Sequence, residues 1–279
     1  MMPIFAEGLH ISIAAEPIFH VGPLAVTNSM IMGIFGYLFV LIWLSWVARK
    51  AKTDDGKKKG FFTRLVIWCF TALYNTTKEI IPNKKIRDII APFAISLFFF
   101  IAIQYYVGIL PFVGDAITWN GTPLFRGANA DLNLTFAMAI MTIVLIQILA
   151  TIKFGLKGNI ARFIRNPIKN PIGFFEGILE LIAEFSRLVA LSMRLFGNVF
   201  AGEILILIIV WLTQFATPLI LPFIYIFEMF IGGIQAYVFF SLAVAFAGLA
   251  VAGHDHASPS TESEHQLIPK TNKVAEGVH

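Results

Sequence analysis

Arg194 is the residue in this chain whose chemistry most needs explaining. It lies in S-R-L-V-A-L-S-M-R-L-F-G-N-V-F-A-G-E, residues 186–203, and runs on into the apolar I-L-I-L-I-I-V-W-L. Between Arg187 and Lys270 there is no other Lys or Arg, over a length that could cross a bilayer twice. A guanidinium near the middle of a membrane span costs between about 3 and 17 kcal/mol depending on the measure, so it must face protein or water. Five carboxyls fall in the same two-span region: Glu176, Glu180, Glu184, Glu203 and Glu228. Acids around a lone arginine at membrane depth point to the movement of protons or ions.

Spacing arranges these groups. At 100° per residue, taking Arg194 as zero, Glu176 falls at about 0°, Arg187 at about 20°, Asn198 and Glu180 at about 40°, and Glu184 at about 80°. Glu203 falls at about 180°, on the opposite face and roughly 13 Å further along the helix. On the next apolar run Glu228 and Gln235 are seven residues apart and share a face. Acids thus approach Arg194 from both ends on different faces, as two offset aqueous half-channels separated by a charged barrier require. Burial raises a carboxyl's pKa towards the range useful for proton relay. The plainer alternative makes Glu176, Glu180 and Glu184 a solvated helix end paired with Arg187, and Glu203 and Glu228 a mutual pair that fixes the hairpin.

The elements that must position these groups are apolar. The chain is 57% hydrophobic and 14% charged, with a mean hydropathy of +0.77, the composition of a polytopic membrane protein. Apolar runs at 26–48, 89–112, 132–152, 174–213 and 215–252 are each long enough to cross roughly 30 Å of hydrocarbon. Of the 21 basic residues, eleven lie in 49–87 and five in 153–169, while only Arg126 lies in 113–131. Positive charge marks cytoplasmic loops, which predicts five spans with the N-terminus outside and the C-terminus inside. The +4 net charge therefore has a topological cause and does not imply nucleic acid.

The expected architecture is all-α: five transmembrane helices, one interfacial helix over 61–81, and a long tilted C-terminal hairpin. Residues 1–25 are expected as an external segment forming a cap or surface helix, 26–252 as the five-span domain, and 253–279 as a disordered cytoplasmic tail. Pro92 suits the first turn of the second span, and Pro218 and Pro222 mark the turn of the hairpin. Asp131 reads as a helix N-cap or as part of an ion entrance. No stop signal occurs between Gly173 and Gln214, which predicts a helix roughly 63 Å long. Gly197, Ala201 and Gly202 leave room for another helix to pack closely. Cys69 reads as a small apolar filler, and no metal or cofactor site is expected, His254 and His256 belonging to a solvated tail.

Segment 186–203, with its R-L-F-G-N and A-G-E elements, resembles the signature of subunit a of F-type ATP synthases. So do I-Q-A-Y around Gln235, A-E-P-I-F-H-V-G at 15–22, G-I-L-P at 108–111 and A-D-L-N-L-T at 130–135. The resemblance implies a proton-translocating stator subunit, with sodium as the other candidate ion. By it, Arg194 is the essential stator arginine, Asn198, Glu203 and Gln235 line the external half-channel, and Glu180 is the cytoplasmic-side carboxyl. Glu228 stands where other members carry histidine, and Glu176 and Glu184 are additional pathway candidates. The implied partners are the c-ring subunits, the subunit b peripheral stalk, the rest of the complex and the lipid of a bacterial inner membrane. The chain has no nucleotide-binding motif, so ATP chemistry falls to a partner. A secondary transporter or a membrane subunit of a respiratory proton pump is the competing reading; five spans without internal repeats speak against it.

Overall fold

The computed structural model describes residues 15–22, 24–53, 60–110, 114–119, 122–163 and 171–252. Six helices dominate it: α1 Asn28–Thr53, α2 Phe61–Ile80, α3 Lys84–Gly108, α4 Leu132–Phe163, α5 Pro171–Thr213 and α6 Thr217–Ala252. Two short antiparallel hairpins complete the set, β1 Pro17–Val21 with β2 Leu24–Thr27 and β3 Gly114–Trp119 with β4 Thr122–Phe125. Among the described residues four stretches have the length and composition to cross a membrane: Asn28–Lys50, Lys84–Gly108, Leu132–Ile160 and Pro171–Ala252. The last runs through both α5 and α6, joined by the single 3-10 turn Gln214–Ala216. The protein is a helical, multi-pass membrane protein.

Several expectations change in detail. In the described part of the segment before α1, Pro17–Val21 and Leu24–Thr27 pair as a hairpin, and Gly22 beside the turn has φ +62, a backbone region that favours glycine. The stretch between α3 and α4 likewise folds into β3 and β4. Pro92 sits well inside α3, because Asn83 caps the helix by accepting from the Lys85 N–H and so starts it more than two turns earlier. Pro222 is also inside its helix, while Pro218 occupies the first turn, where its missing N–H is tolerated. Residues 1–14 and the tail from 253 lie outside the described residues.

Other expectations are met. α5 is a 43-residue helix beginning at Pro171, in agreement with the unbroken pattern from Gly173. α4 kinks at Gly155, whose φ of 75 and ψ of 161 are non-helical, near the expected end of the apolar run at 152. Beyond the kink Asn159 reaches back to the Gln147 side chain at 3.2 Å and to Thr151 Oγ1 at 3.1 Å. α2 is amphipathic and exposes Phe61, Phe62, Leu65 and Trp68 while burying Thr63, Leu73 and Thr77.

Two layers of core hold the helices. One gathers Ile90, Ile95, Ile146, Leu149, Phe240 and Val244; the other gathers Ile101, Tyr105, Met138, Leu191, Leu195 and Phe239. Polar ties fix the register of one helix on another, as expected where lipid gives no hydrophobic drive for helices to associate. Gln104 Nε2 donates to the Gly33 carbonyl at 2.9 Å, joining α3 to α1, and the Gln104 amide fills the space a side chain at Gly36 would need. Ser192 Oγ donates to Thr135 Oγ1 at 3.1 Å, joining α5 to α4.

Asp131 does two jobs at once. Its Oδ1 accepts from the Asn133 N–H at 2.9 Å, capping α4, and its Oδ2 accepts from Ser29 Oγ at 2.6 Å, holding the start of α1. Asp131→Ala should therefore destabilise the purified protein by about 1–2 kcal/mol, the loss of a cap and of a buried hydrogen bond. Denaturant unfolding in detergent micelles checks this, and an unchanged midpoint would count against the cap.

Candidate ion-conducting site between α5 and α6

α5 and α6 run antiparallel, and their facing sides carry the acids. Glu228 is 3% exposed, deep among apolar side chains. Its Oε2 accepts from Tyr105 Oη–H at 2.8 Å, a partner supplied by α3. Space for the carboxyl comes from Gly202 on α5, where an added Cβ would overlap the Glu228 carboxyl group. A Cβ at Gly232 would overlap the Tyr105 ring in the same way. Glycine at these two positions is thus required by close approach and not by backbone conformation.

Glu203 is the residue after Gly202 on α5. Its Oε2 lies 3.7 Å from Arg126 Nε, and both residues are largely covered. Glu203, Glu228, Tyr105, Val199 and Gly202 line one cavity of about 30 Å³. That is enough for a water molecule among polar partners. The two acids therefore meet across one small space while each also has a partner of its own.

Two turns along α6 from Glu228 is Gln235, 3% exposed. Its Oε1 accepts from Asn198 Nδ2 at 2.6 Å, so the two helices are bridged again. Asn198 is one turn from Arg194. Arg194 itself is exposed and makes no hydrogen bond or ion pair among the described residues. The exposed stripe around it is made of Ala190, Gly197, Asn198 and Ala201, and a Cβ at Gly197 would meet open space.

The remaining acids lie towards the start of α5. Glu184 is 8% exposed and its Oε1 accepts from Arg187 Nη1 at 2.8 Å. The Arg187 guanidinium also stands 5.2 Å from the Phe246 ring. Glu180 is half-buried and Glu176 exposed. The predicted single stripe thus resolves into parts: Glu184 turns inward to Arg187, while Arg194 and Asn198 face out. No carboxylate is brought into contact with Arg194 among the described residues. Of the small residues expected to admit another helix, only Gly202 is used within the chain.

Two residues of this cluster carry no strong signal in the sequence. Tyr105 lies in an apolar span as one aromatic among many, and Arg126 is the one basic residue of 113–131. A hydroxyl in a span with an acid three helices further along the chain is a weak signal, and the pairing of Arg126 with Glu203 is a contact across 77 positions of sequence.

The sequence pattern of the family described as ATP synthase A chain matches residues 30–248. The chain belongs to this family. It is similar to the ATP synthase subunit a of Enterococcus faecalis, 27% identical over 82% of this chain and 94% of the relative. It is also similar to the ATP synthase subunit a 2 of Vibrio campbellii, at 31% over 81% of this chain and 89% of the other. The subunit a of Acidothermus cellulolyticus is 28% identical over 88% and 84% respectively. For a member of the ATP synthase A chain family, the work is proton transport in ATP synthesis across a membrane. The secondary-transporter and respiratory-pump readings fall away.

Gly202→Ala tests the close contact at Glu228. The added methyl must displace either the carboxyl or α6, an overpacking that costs about 1–3 kcal/mol. Both the thermal stability of the detergent-purified complex and its proton pumping should fall. Parent values for both would mean that α5 and α6 have slack at this point.

Proposed function

We propose that the chain is the proton-translocating stator subunit of a rotary F-type ATP synthase. The observation that carries this reading is Arg194: a cation on an exposed, apolar helix face with no partner among the described residues. In hydrocarbon that arrangement would be too costly to persist, so the compensating charge must come from another chain. A carboxylate on a rotating c-ring, passing along the stripe of Ala190, Gly197 and Ala201, supplies it. An arginine serves here because its guanidinium stays protonated where a lysine would shed its proton.

In this reading α1, α3, α4, α5 and α6 are the five spans and α2 lies at the cytoplasmic interface. The positive-inside distribution then sets the N-terminus outside and the C-terminus inside a bacterial plasma membrane. Residues 1–25 form the external segment and 253–279 the cytoplasmic tail, with the c-ring, the subunit b stalk and the lipid as partners. A proton from outside passes Glu203 and Glu228, continues by the Gln235–Asn198 bridge, and neutralises a ring carboxylate. A neutral site can enter lipid without a buried charge. Arg194 bars direct passage to the inner path at Glu180, Glu184 and Glu176, where the proton leaves after the ring has turned. Each charge crossing contributes about 2.3 kcal/mol per 100 mV, so several crossings drive one ATP.

Arg194→Ala should abolish ATP synthesis and ATP-driven acidification of inverted vesicles while the complex still assembles. Arg194→Lys should fail nearly as badly, and coupled pumping at the parent rate in the alanine variant would sink the reading. Sidedness is tested separately with Cys69→Ser and single cysteines at positions 180, 203 and 228. Thiolate reactivity reports local water, so an impermeant reagent should label 203 and 228 from outside and 180 from inside. Labelling of 180 and 203 from one side only would overturn the two-path arrangement.

A further inference from the structure

The strand β4 ends at Phe125, and the next two residues descend directly onto α5. The Arg126 residue is 9% exposed although it comes from a connecting loop. Its Nε stands 3.7 Å from Glu203 Oε2, and its guanidinium 5.9 Å from the Phe200 ring, one turn away on the same helix. Phe200 in turn stacks on Phe196 with ring centroids 5.4 Å apart. Gly127 follows so closely that an added Cβ would sit 2.7 Å from Glu203 Oε1. The same glycine lies against Gly108 at the end of α3, a residue that lines the Glu203–Glu228 cavity. Loop, α3 and α5 thus close around one carboxylate from three directions.

We propose that Arg126 is a positioning residue of the ion path, holding the Glu203 carboxylate against the cavity it shares with Glu228. The inference rests on the reading of the site given above and adds to it a residue from outside the α5–α6 hairpin. A carboxylate on a helix surface has several rotamers, and the one present sets Oε2 3.7 Å from Arg126 Nε and Oε1 against Gly127. The charge-assisted contact to Arg126 selects that rotamer, and the absence of a side chain at Gly127 leaves room for it. A proton received by Glu203 then passes to a water in the cavity, which gives one of its own protons to Glu228. One O–H bond forms for each that breaks, and only the proton's charge advances. The charged and titratable groups facing Glu203 here are Arg126 from the loop, Glu228 from α6 and Tyr105 from α3.

The experiment measures ATP synthesis by the whole enzyme in vesicles with external and internal pH set independently. Arg126→Gln should slow synthesis about tenfold, within the loss expected when a reacting group is displaced by an ångström. Arg126→Lys, which keeps the charge, should recover most of the rate. The dependence on external pH should shift in Arg126→Gln while the dependence on internal pH stays that of the parent, a split that a general loss of structure would not produce. Gly127→Ala carries the test independently of the charge. Its φ of −51 suits any residue, so the methyl acts only by pushing on Glu203 and should slow synthesis similarly. Parent rates in either Arg126→Gln or Gly127→Ala overturn the proposal, and so does failure of both to assemble. Arg194→Ala run alongside separates the two claims. If it pumps normally the site reading itself is wrong; if it is inactive while the Arg126 and Gly127 variants are normal, only the present inference falls.

Discussion

A carboxyl group at membrane depth has to be either neutral or answered, and that constraint organises this protein. Glu228 is 3% exposed in the most apolar of the described helices, where an unsatisfied polar group costs several kcal/mol. Tyr105 supplies the hydrogen bond and Gly202 supplies the space. Each requirement fixes a neighbour: the first holds α3 to α6, the second brings the backbone of α5 to within reach of the same carboxyl. Three helices therefore share one register because of one acid.

The same logic recurs along the bundle at lower stakes. Asn198 and Gln235 satisfy each other between α5 and α6, Ser192 and Thr135 between α5 and α4, and Gln104 reaches the Gly33 carbonyl of α1. These bonds specify orientation where apolar packing against lipid-like side chains would allow sliding. Arg126 and Arg187 are each fastened to a carboxylate, Glu203 and Glu184 respectively. Arg194 differs from both: it is exposed on α5 and has no such partner among the described residues.

Much of this was legible in the sequence because lipid imposes simple rules. Helix length, apolar runs and the distribution of basic residues follow from a hydrocarbon slab and a charged interface, and the 43 residues of α5 could be read from the absence of any stop signal. Glu228 and Gln235 were legible because a spacing of seven places them on one face. What failed was whatever depended on partners distant in sequence. Tyr105 is one aromatic among many until α6 is set against it, and Gly202, read as room for another helix, gives no sign that the Glu228 carboxyl fills that room. The hairpins before α1 and α4 escaped because their residues satisfy one another's backbone groups locally, which composition alone does not announce. Pro92 lies inside the helix and not in its first turn because a side-chain cap at Asn83 starts α3 at Lys84, five residues before the apolar run at 89.

The stripe of Ala190, Gly197 and Ala201 has a mechanical consequence. Helices usually interlock, ridge in groove, and each interlocked position is an energy minimum that resists sliding. A face of methyl groups, bare backbone and the short amide of Asn198 offers only low ridges. A neighbour translating across it would cross a nearly level surface, with friction set by lipid and not by steric teeth. On such a surface the guanidinium of Arg194 is the one strong feature, so a passing charge would feel a single electrostatic detent per step.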